Sequence, residues 1–254
     1  MKNKISKYDF LIVGGGLVGS LAAIALFKKK YKVLIIEKNN FLPDDQRTLA
    51  VNANSRDFLQ QLGVWEEFNA DKEPINQIII KDSINKEDLI FQNDQESMGT
   101  VIYNKKLLKI ARNYLIRKKI LLTGIDFSLN DFRAKSIISI NKKNYFFNKM
   151  IISLGKNYEN NEILKKTKIK SIHQAYVGFF DHQKNHNQTA YEIFTPNGPL
   201  AVLPSPSINK KSSTFIYSTK DKMNFNSLSK IIKNNFHLSH GKIELKFKIN
   251  SLSY

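Results

Sequence analysis

Tyr8 to Glu37 reads YDFLIVGGGLVGSLAAIALFKKKYKVLIIE: an apolar strand, a run of glycines, an apolar helix, and a second apolar strand that ends in an acid. Asp9 to Val13 suits a buried parallel strand, and Gly14-x-Gly16-x-x-Gly19 follows at once. Each glycine has a separate reason. Gly14 permits the tight turn, Gly16 lets backbone approach a pyrophosphate, and Gly19 lets the helix pack closely on the strand. A pyrophosphate would meet free N–H groups at the positive end of the helix. Lys28 to Lys30 fall in the last helical turn, opposite the negative end of the dipole. Lys32 to Ile36 reads as the second strand, and Glu37 follows at the spacing where a carboxylate meets ribose hydroxyls. An acid there favours an unphosphorylated ribose, so the segment predicts a site for the ADP part of a dinucleotide, FAD or NAD.

A chain of 254 residues and 29.3 kDa is long enough for one large domain or two small ones. Its 42% hydrophobic content and 17 Phe indicate a globular protein and exclude a disordered one. With no cysteine, disulfides, thiolate metal sites and cysteine nucleophiles are excluded. The N-terminus runs directly into the first strand without a secretory apolar region, and no apolar run approaches the roughly 20 residues of a membrane span. These features predict a cytoplasmic chain.

The net charge of +18 raises nucleic-acid binding, which the pattern argues against. The lysines are scattered in pairs such as Lys105-Lys106, Lys142-Lys143 and Lys210-Lys211, and no recognition helix, zinc finger or aromatic RNA-binding motif accompanies them. Peripheral contact with an anionic surface at the inner membrane is the use such a basic surface suits. His182 and His186 lie between two expected strands and read as a solvated turn, since a metal needs three or four converging ligands. Trp65 reads as core, and His237 and His240 carry no assignment.

Further motifs follow in order: Asp45-Gln46-Arg47-Thr48-Leu49-Ala50 in a loop; Leu62-Gly63-Val64-Trp65 closing a helix; Met98 to Asn104 before a helix containing Leu107; and Ala190-Tyr191-Glu192-Ile193-Phe194 with Gly198-Pro199-Leu200-Ala201 and Leu203-Pro204. With the glycine unit, this series resembles the ubiquinone-biosynthesis flavin hydroxylases, within the wider para-hydroxybenzoate hydroxylase type of FAD monooxygenase. The resemblance covers nearly the whole chain and is patchy between Ala70 and Ser97.

The resemblance implies an α/β fold in which a Rossmann-like FAD-binding domain, 1–72 and 98–170, is interrupted by an α+β substrate domain with a mixed sheet, 73–97 and 171–254. It implies FAD as cofactor, NAD(P)H as reductant, a small aromatic substrate bearing a polyprenyl tail, and other ubiquinone-biosynthesis proteins as partners. The cofactor would carry the ring hydroxylation, so no acid–base pair or nucleophile is required of the chain. Gly14, Gly16, Gly19 and Glu37 would hold ADP, Arg47 would lie near the flavin or pyrophosphate, and Asn104 near the isoalloxazine.

Two departures stand beside these agreements. Where the family has Asp-Gly and then a Ser, this chain has Leu154-Gly155 and Tyr158, so the carboxylate expected to contact FAD is replaced by a side chain that accepts no hydrogen bond. The chain also stops at Tyr254, before the family's Gly-Asp-Ala-x-His segment, which implies an FAD domain incomplete at its C-terminus and weak flavin binding. Three readings stay open: an impaired FAD monooxygenase, a non-catalytic remnant or assembly subunit that keeps the fold, and an NAD-linked dehydrogenase.

The expected strands are Ile75–Ile80, Asp88–Gln92, Gly99–Tyr103, Ile120–Thr123, Arg133–Ile140, Asn144–Phe147, Lys149–Ser153, Ser171–Asp181, Thr189–Phe194, Pro199–Pro204 and Thr214–Ser218. Lys105–Arg117 and Leu228–Phe236 have helical apolar spacing.

Overall fold

The computed structural model describes residues 6–44, 47–69, 71–82, 87–93, 95–126, 136–155 and 174–253. Two compact units result. One comprises Met1–Asp44, Leu59–Glu67 and Lys105–Ile169, the other Asp45–Phe58, Phe68–Asn104 and Lys170–Tyr254. Residues 45–58, 68–72 and 98–104, expected with the nucleotide-binding part, group with the second unit because their strands pair there.

In the first unit, β1 (Ser6–Val13) lies between two parallel neighbours, β2 (Val33–Ile36) and β10 (Lys143–Ile152). Parallel strands need a crossover, and α1 (Leu17–Lys28) supplies the one between β1 and β2. β2 is buried along its whole length, as expected of a strand covered on both faces. Leu11, Val13, Leu34 and Ile36 point to one face, where they pack with Ile138, Ile140 and Phe147. Ile12 and Ile35 alternate to the other face. α3 (Asn104–Arg117) buries Leu107, Leu108, Ile110, Ala111 and Leu115, and the chain then adds β8 (Leu121–Leu122) beside β2. β9 (Ile137–Ile140) pairs antiparallel with β10, giving the order β8-β2-β1-β10-β9.

Asn144–Phe147 and Lys149–Ser153, expected as separate strands, are one strand. No glycine or proline interrupts them, and the register runs along β1 from Ser6↔Tyr145 to Val13↔Ile152. The expected strand Arg133–Ile140 starts at Ile137, with 133–135 outside the described residues.

The second unit holds a three-stranded and a seven-stranded sheet. Thr48 to Val51, expected in a loop, forms β3 (Thr48–Val51) because it pairs with β7 (Gly99–Tyr103), about fifty residues away, a partnership no local pattern reveals. The expected strand Ile75–Ile80 is divided: β4 (Glu73–Ile75) joins β7, and β5 (Gln77–Asp82) joins the larger sheet. That sheet has the order β15-β11-β14-β13-β12-β5-β6 and contains β6 (Asp88–Gln92), β11 (Gln174–His182), β12 (Thr189–Thr195), β13 (Gly198–Pro204), β14 (Ser212–Thr219) and β15 (Ile243–Ser253). It is mixed, because β12 runs parallel to β5 while its other pairings are antiparallel. The α/β class with a Rossmann-like unit and a mixed sheet is therefore the fold observed.

α4 (Phe225–His240) covers the larger sheet with a stripe four residues apart, Leu228, Ile232, Phe236 and His240. Asn224 caps its start, Oδ1 accepting from Ser227 N at 2.9 Å, and Gly241 ends it at φ +74°. The stripe packs on Tyr176, Phe180, Ile193, Leu200, Val202, Phe215 and Tyr217.

His182 and His186 are buried rather than in a solvated turn. His182 Nδ1 donates to Lys184 O at 2.6 Å, its Nε2 meets Ser213 Oγ at 3.0 Å, and its ring meets the ring of His240 edge-on at 4.5 Å between centroids. Nε2 of His186 and of His240 is buried without a hydrogen-bond partner among the described residues. Burial first, then the neighbouring His182 and Lys210 charges, holds His186 down to about 4. Burial followed by His182 and His186 holds His240 to about 3. His182 is lowered too, chiefly by burial. Among the described residues no group of three His, Cys, Asp or Glu is arranged to hold a metal.

Each depressed value lies below the unfolded histidine value near 6.5, so the fold holds the neutral ring. The stabilisation is fully present above about pH 6.5 and is lost as pH falls from there through 4 and 3. The melting temperature should therefore drop between pH 6.5 and 4, and His240→Leu should flatten that slope in a thermal titration. Phe236→Ala should cost about 3–5 kcal/mol in denaturant unfolding at neutral pH.

Candidate functional site

Val13 ends β1, and Gly14 turns the chain at φ +106° while its N–H donates to Ile36 O at 2.9 Å. A Cβ on Gly14 would stand 2.4 Å from Ser153 O, so both the angle and the close approach demand glycine. Gly19 is as constrained. A Cβ there would lie 2.0 Å from Gly14 O and 2.4 Å from Ser153 Oγ, because the first turn of α1 rests directly on the strand end. Ser153 Oγ donates to Gly14 O at 2.9 Å from the tip of β10. Gly16, by contrast, has nothing within 4 Å of a Cβ position. It is the extended residue before α1, and no side chain caps the helix. The end of α1 thus presents backbone N–H groups behind an open glycine, an arrangement that accepts a phosphate.

Glu37 is only 8% exposed. Its Oε2 accepts from Gly15 N at 2.6 Å and its Oε1 from Asn39 N at 2.8 Å. A buried carboxylate needs such donors, and each oxygen still has lone-pair capacity for a hydroxyl. The structure brings Gly14, Gly16, Gly19 and Glu37 together at one end of the parallel sheet. It also places there a residue that the sequence reading did not single out, Arg112, from the middle of α3, whose guanidinium meets Gly15 O, Phe41 O and Glu37. The one available signal was weak: Arg112 stands among buried apolar positions of an otherwise lysine-rich helix.

Arg47 and Asn104 lie in the second unit. They are brought together there, Asn104 N donating to Arg47 O at 2.9 Å where the β3–β7 ladder ends. Asn104 is buried at the start of α3, and Arg47 is exposed. Leu154 is half-buried and packs with the Leu11, Val13 and Ile36 cluster. Tyr158 lies outside the described residues.

The sequence family described as FAD binding domain matches residues 7–114, a span that contains the glycine loop, Glu37, Arg47, Asn104 and Arg112. Residues 7–114 are thus similar to an FAD binding domain. Its curated homologues include the ubiquinone biosynthesis monooxygenase COQ6 of Dictyostelium discoideum, 25% identical over 80% of this chain and 51% of the relative. Ubiquinone hydroxylase UbiL of Rhodospirillum rubrum is 26% identical over 78% of this chain and 49% of the relative. The chain spans about half the length of the curated relatives it matches. The fold is shared by the flavin-dependent monooxygenase PieE, solved with FAD and substrate, at a TM-score of 0.67, 12% identity and coverage of 97% of this chain and 49% of that one. A geranylgeranyl bacteriochlorophyll reductase-like protein of Thermoplasma acidophilum gives 0.68 at 17% identity, covering 98% and 67%.

Because Gly19 has no space for a side chain, Gly19→Val should displace α1 from β1 and cost about 1–3 kcal/mol or more, read as a lowered denaturant midpoint. Gly16→Ala should leave the midpoint nearly unchanged, since its Cβ meets open space.

Proposed function

We propose that this chain serves FAD-dependent hydroxylation of an aromatic ring on a polyprenylated ubiquinone precursor, with NAD(P)H as reductant. The observation that carries the reading is the clasp of buried Glu37 on Gly15 beside the open Gly16 and the uncapped start of α1. These residues fit the ADP end of FAD. Backbone N–H groups of the first helical turn would hold the pyrophosphate, and Glu37 would accept from the ribose hydroxyls. Gly14 and Gly19 keep the strand end and helix close enough for both contacts to be made at once. When bound, FAD supplies the oxygen activation that no side chain can, and the chain contributes binding and orientation. Arg47 and Asn104 are proposed to serve the flavin side of the same cofactor.

The curated relatives named for ubiquinone biosynthesis support the substrate class. Other proteins of that process are the proposed partners. Scattered lysines would favour peripheral attachment to an anionic membrane surface; among the described residues no helix is long and apolar enough to cross a membrane. The proposed division of labour follows the sequence reading: 1–72 with 98–170 for the cofactor, 73–97 with 171–254 for the substrate.

Leu154 favours a second reading, a non-catalytic subunit that keeps the fold. Where the resemblance implies an acid, this chain packs a half-buried apolar side chain against its core, so a flavin there would lose one acceptor. Both readings agree on weak flavin retention and separate on turnover. The purified chain should show flavin absorbance when mixed with FAD, lose it on gel filtration, and show ADP competition. Slow NAD(P)H oxidation dependent on FAD would support the impaired monooxygenase, whereas binding with no oxidation would favour the subunit. Failure to bind FAD or ADP at any concentration would overturn both.

A further inference from the structure

We infer that Arg112 is a positioning residue that pre-forms the ADP-binding loop, acting through Gly15 and Glu37; the inference rests on the FAD reading above. Arg112 is only 6% exposed. Its Nε donates to Gly15 O at 3.0 Å, its Nη1 to Phe41 O at 3.3 Å, and its Nη2 stands 3.7 Å from Glu37 Oε2. Three separate segments meet on one side chain: the glycine loop, the acid at the end of β2, and the chain that follows it.

Gly15 shows why this matters. Its N–H is held by Glu37 Oε2 at 2.6 Å, and its carbonyl by Arg112 and by Ser20 Oγ at 3.2 Å. Both polar groups of the residue preceding Gly16 are therefore fixed by side chains, which sets the direction of the open backbone in front of α1. Glu37 is held in turn, by Gly15 and Asn39 through hydrogen bonds and by Arg112 through charge. Removing the arginine would leave a buried carboxylate without its cation and a glycine carbonyl with one donor fewer. A lysine keeps the charge but not the fork that spans Gly15 O and Phe41 O, because an ammonium is a point donor. Pre-organising a loop raises affinity by lowering the ordering cost on binding.

The test compares FAD, ADP and FMN binding to the wild-type chain, Arg112→Met and Arg112→Lys, by fluorescence and calorimetry. Arg112→Met should weaken FAD and ADP by tenfold or more and leave FMN, which lacks the ADP end, unchanged. Arg112→Lys should recover part of the loss. In a cycle with Glu37→Gln, the second substitution should add little once the first is made, since the two side chains act on one loop. Wild-type affinity for FAD and ADP in Arg112→Met overturns the inference and leaves the FAD reading standing; an equal loss for FMN overturns it as general damage. If the wild-type chain binds neither FAD nor ADP, the FAD reading falls, and amide exchange at Gly15 and Asn39 decides the loop assignment: faster exchange in Arg112→Met supports it, and unchanged exchange overturns it. Should Arg112→Met fail to fold, Arg112→Lys carries the same comparisons, with a partial loss of FAD and ADP binding expected and none overturning.

Discussion

The contact of Gly19 with the carbonyl of Gly14 is the constraint on which the candidate site depends. A helix can lie this close to a strand end only where it has no Cβ, and the 2.0 Å approach of a built Cβ shows there is no room for one. That closeness aims the first turn of α1 at the mouth of the parallel sheet. It also brings Ser153, at the tip of β10, onto Gly14 O, so the loop is held by strands 139 residues apart in sequence. One missing methyl group thus joins the crossover, the sheet order and the anion-receptive helix end.

Around that contact the polar groups satisfy one another. Glu37 is buried at low cost because Gly15 N and Asn39 N donate to it and Arg112 lies beside it. Arg112 is buried at low cost because two carbonyls and the carboxylate receive it. Neither charge would be tolerable alone in so enclosed a place. The unit therefore keeps a charged pair next to an open glycine, ready for a ligand with one anionic and one hydroxyl-bearing part. Leu154 shows the opposite case: its half-buried apolar side chain packs against the core cluster beside the site and offers no acceptor.

The second unit is organised by burial rather than by a loop. α4 lays one stripe on the mixed sheet, and His240 completes it because its ring meets His182 and Phe180. From sequence, His182 and His186 read as a solvated turn because they lie between two expected strands. Their surroundings come instead from α4, some 55 residues later, and from β14. β3 escaped for the same reason, being a strand by virtue of a distant partner, β7, whereas β15 carries a strict apolar–polar alternation from Ile243 to Asn250 that was available in the sequence. The division of 73–82 between two sheets at Asn76 is only partly legible locally: Pro74 suits the edge position that β4 takes, but nothing near it names β7 as the partner.

The sequence alone determined the elements whose causes are local. These are the apolar strands, the glycine positions with their separate steric reasons, the amphipathic helices, and the acid placed after β2. Tertiary structure decided which polar groups face one another. Arg112 reaches Gly15 and Glu37 only because α3 is packed beside the sheet, and three histidines share one enclosed space only because α4 closes over β11. Backbone propensity and periodicity act over a few residues, whereas charge pairing and ring packing depend on distances in space that folding alone sets.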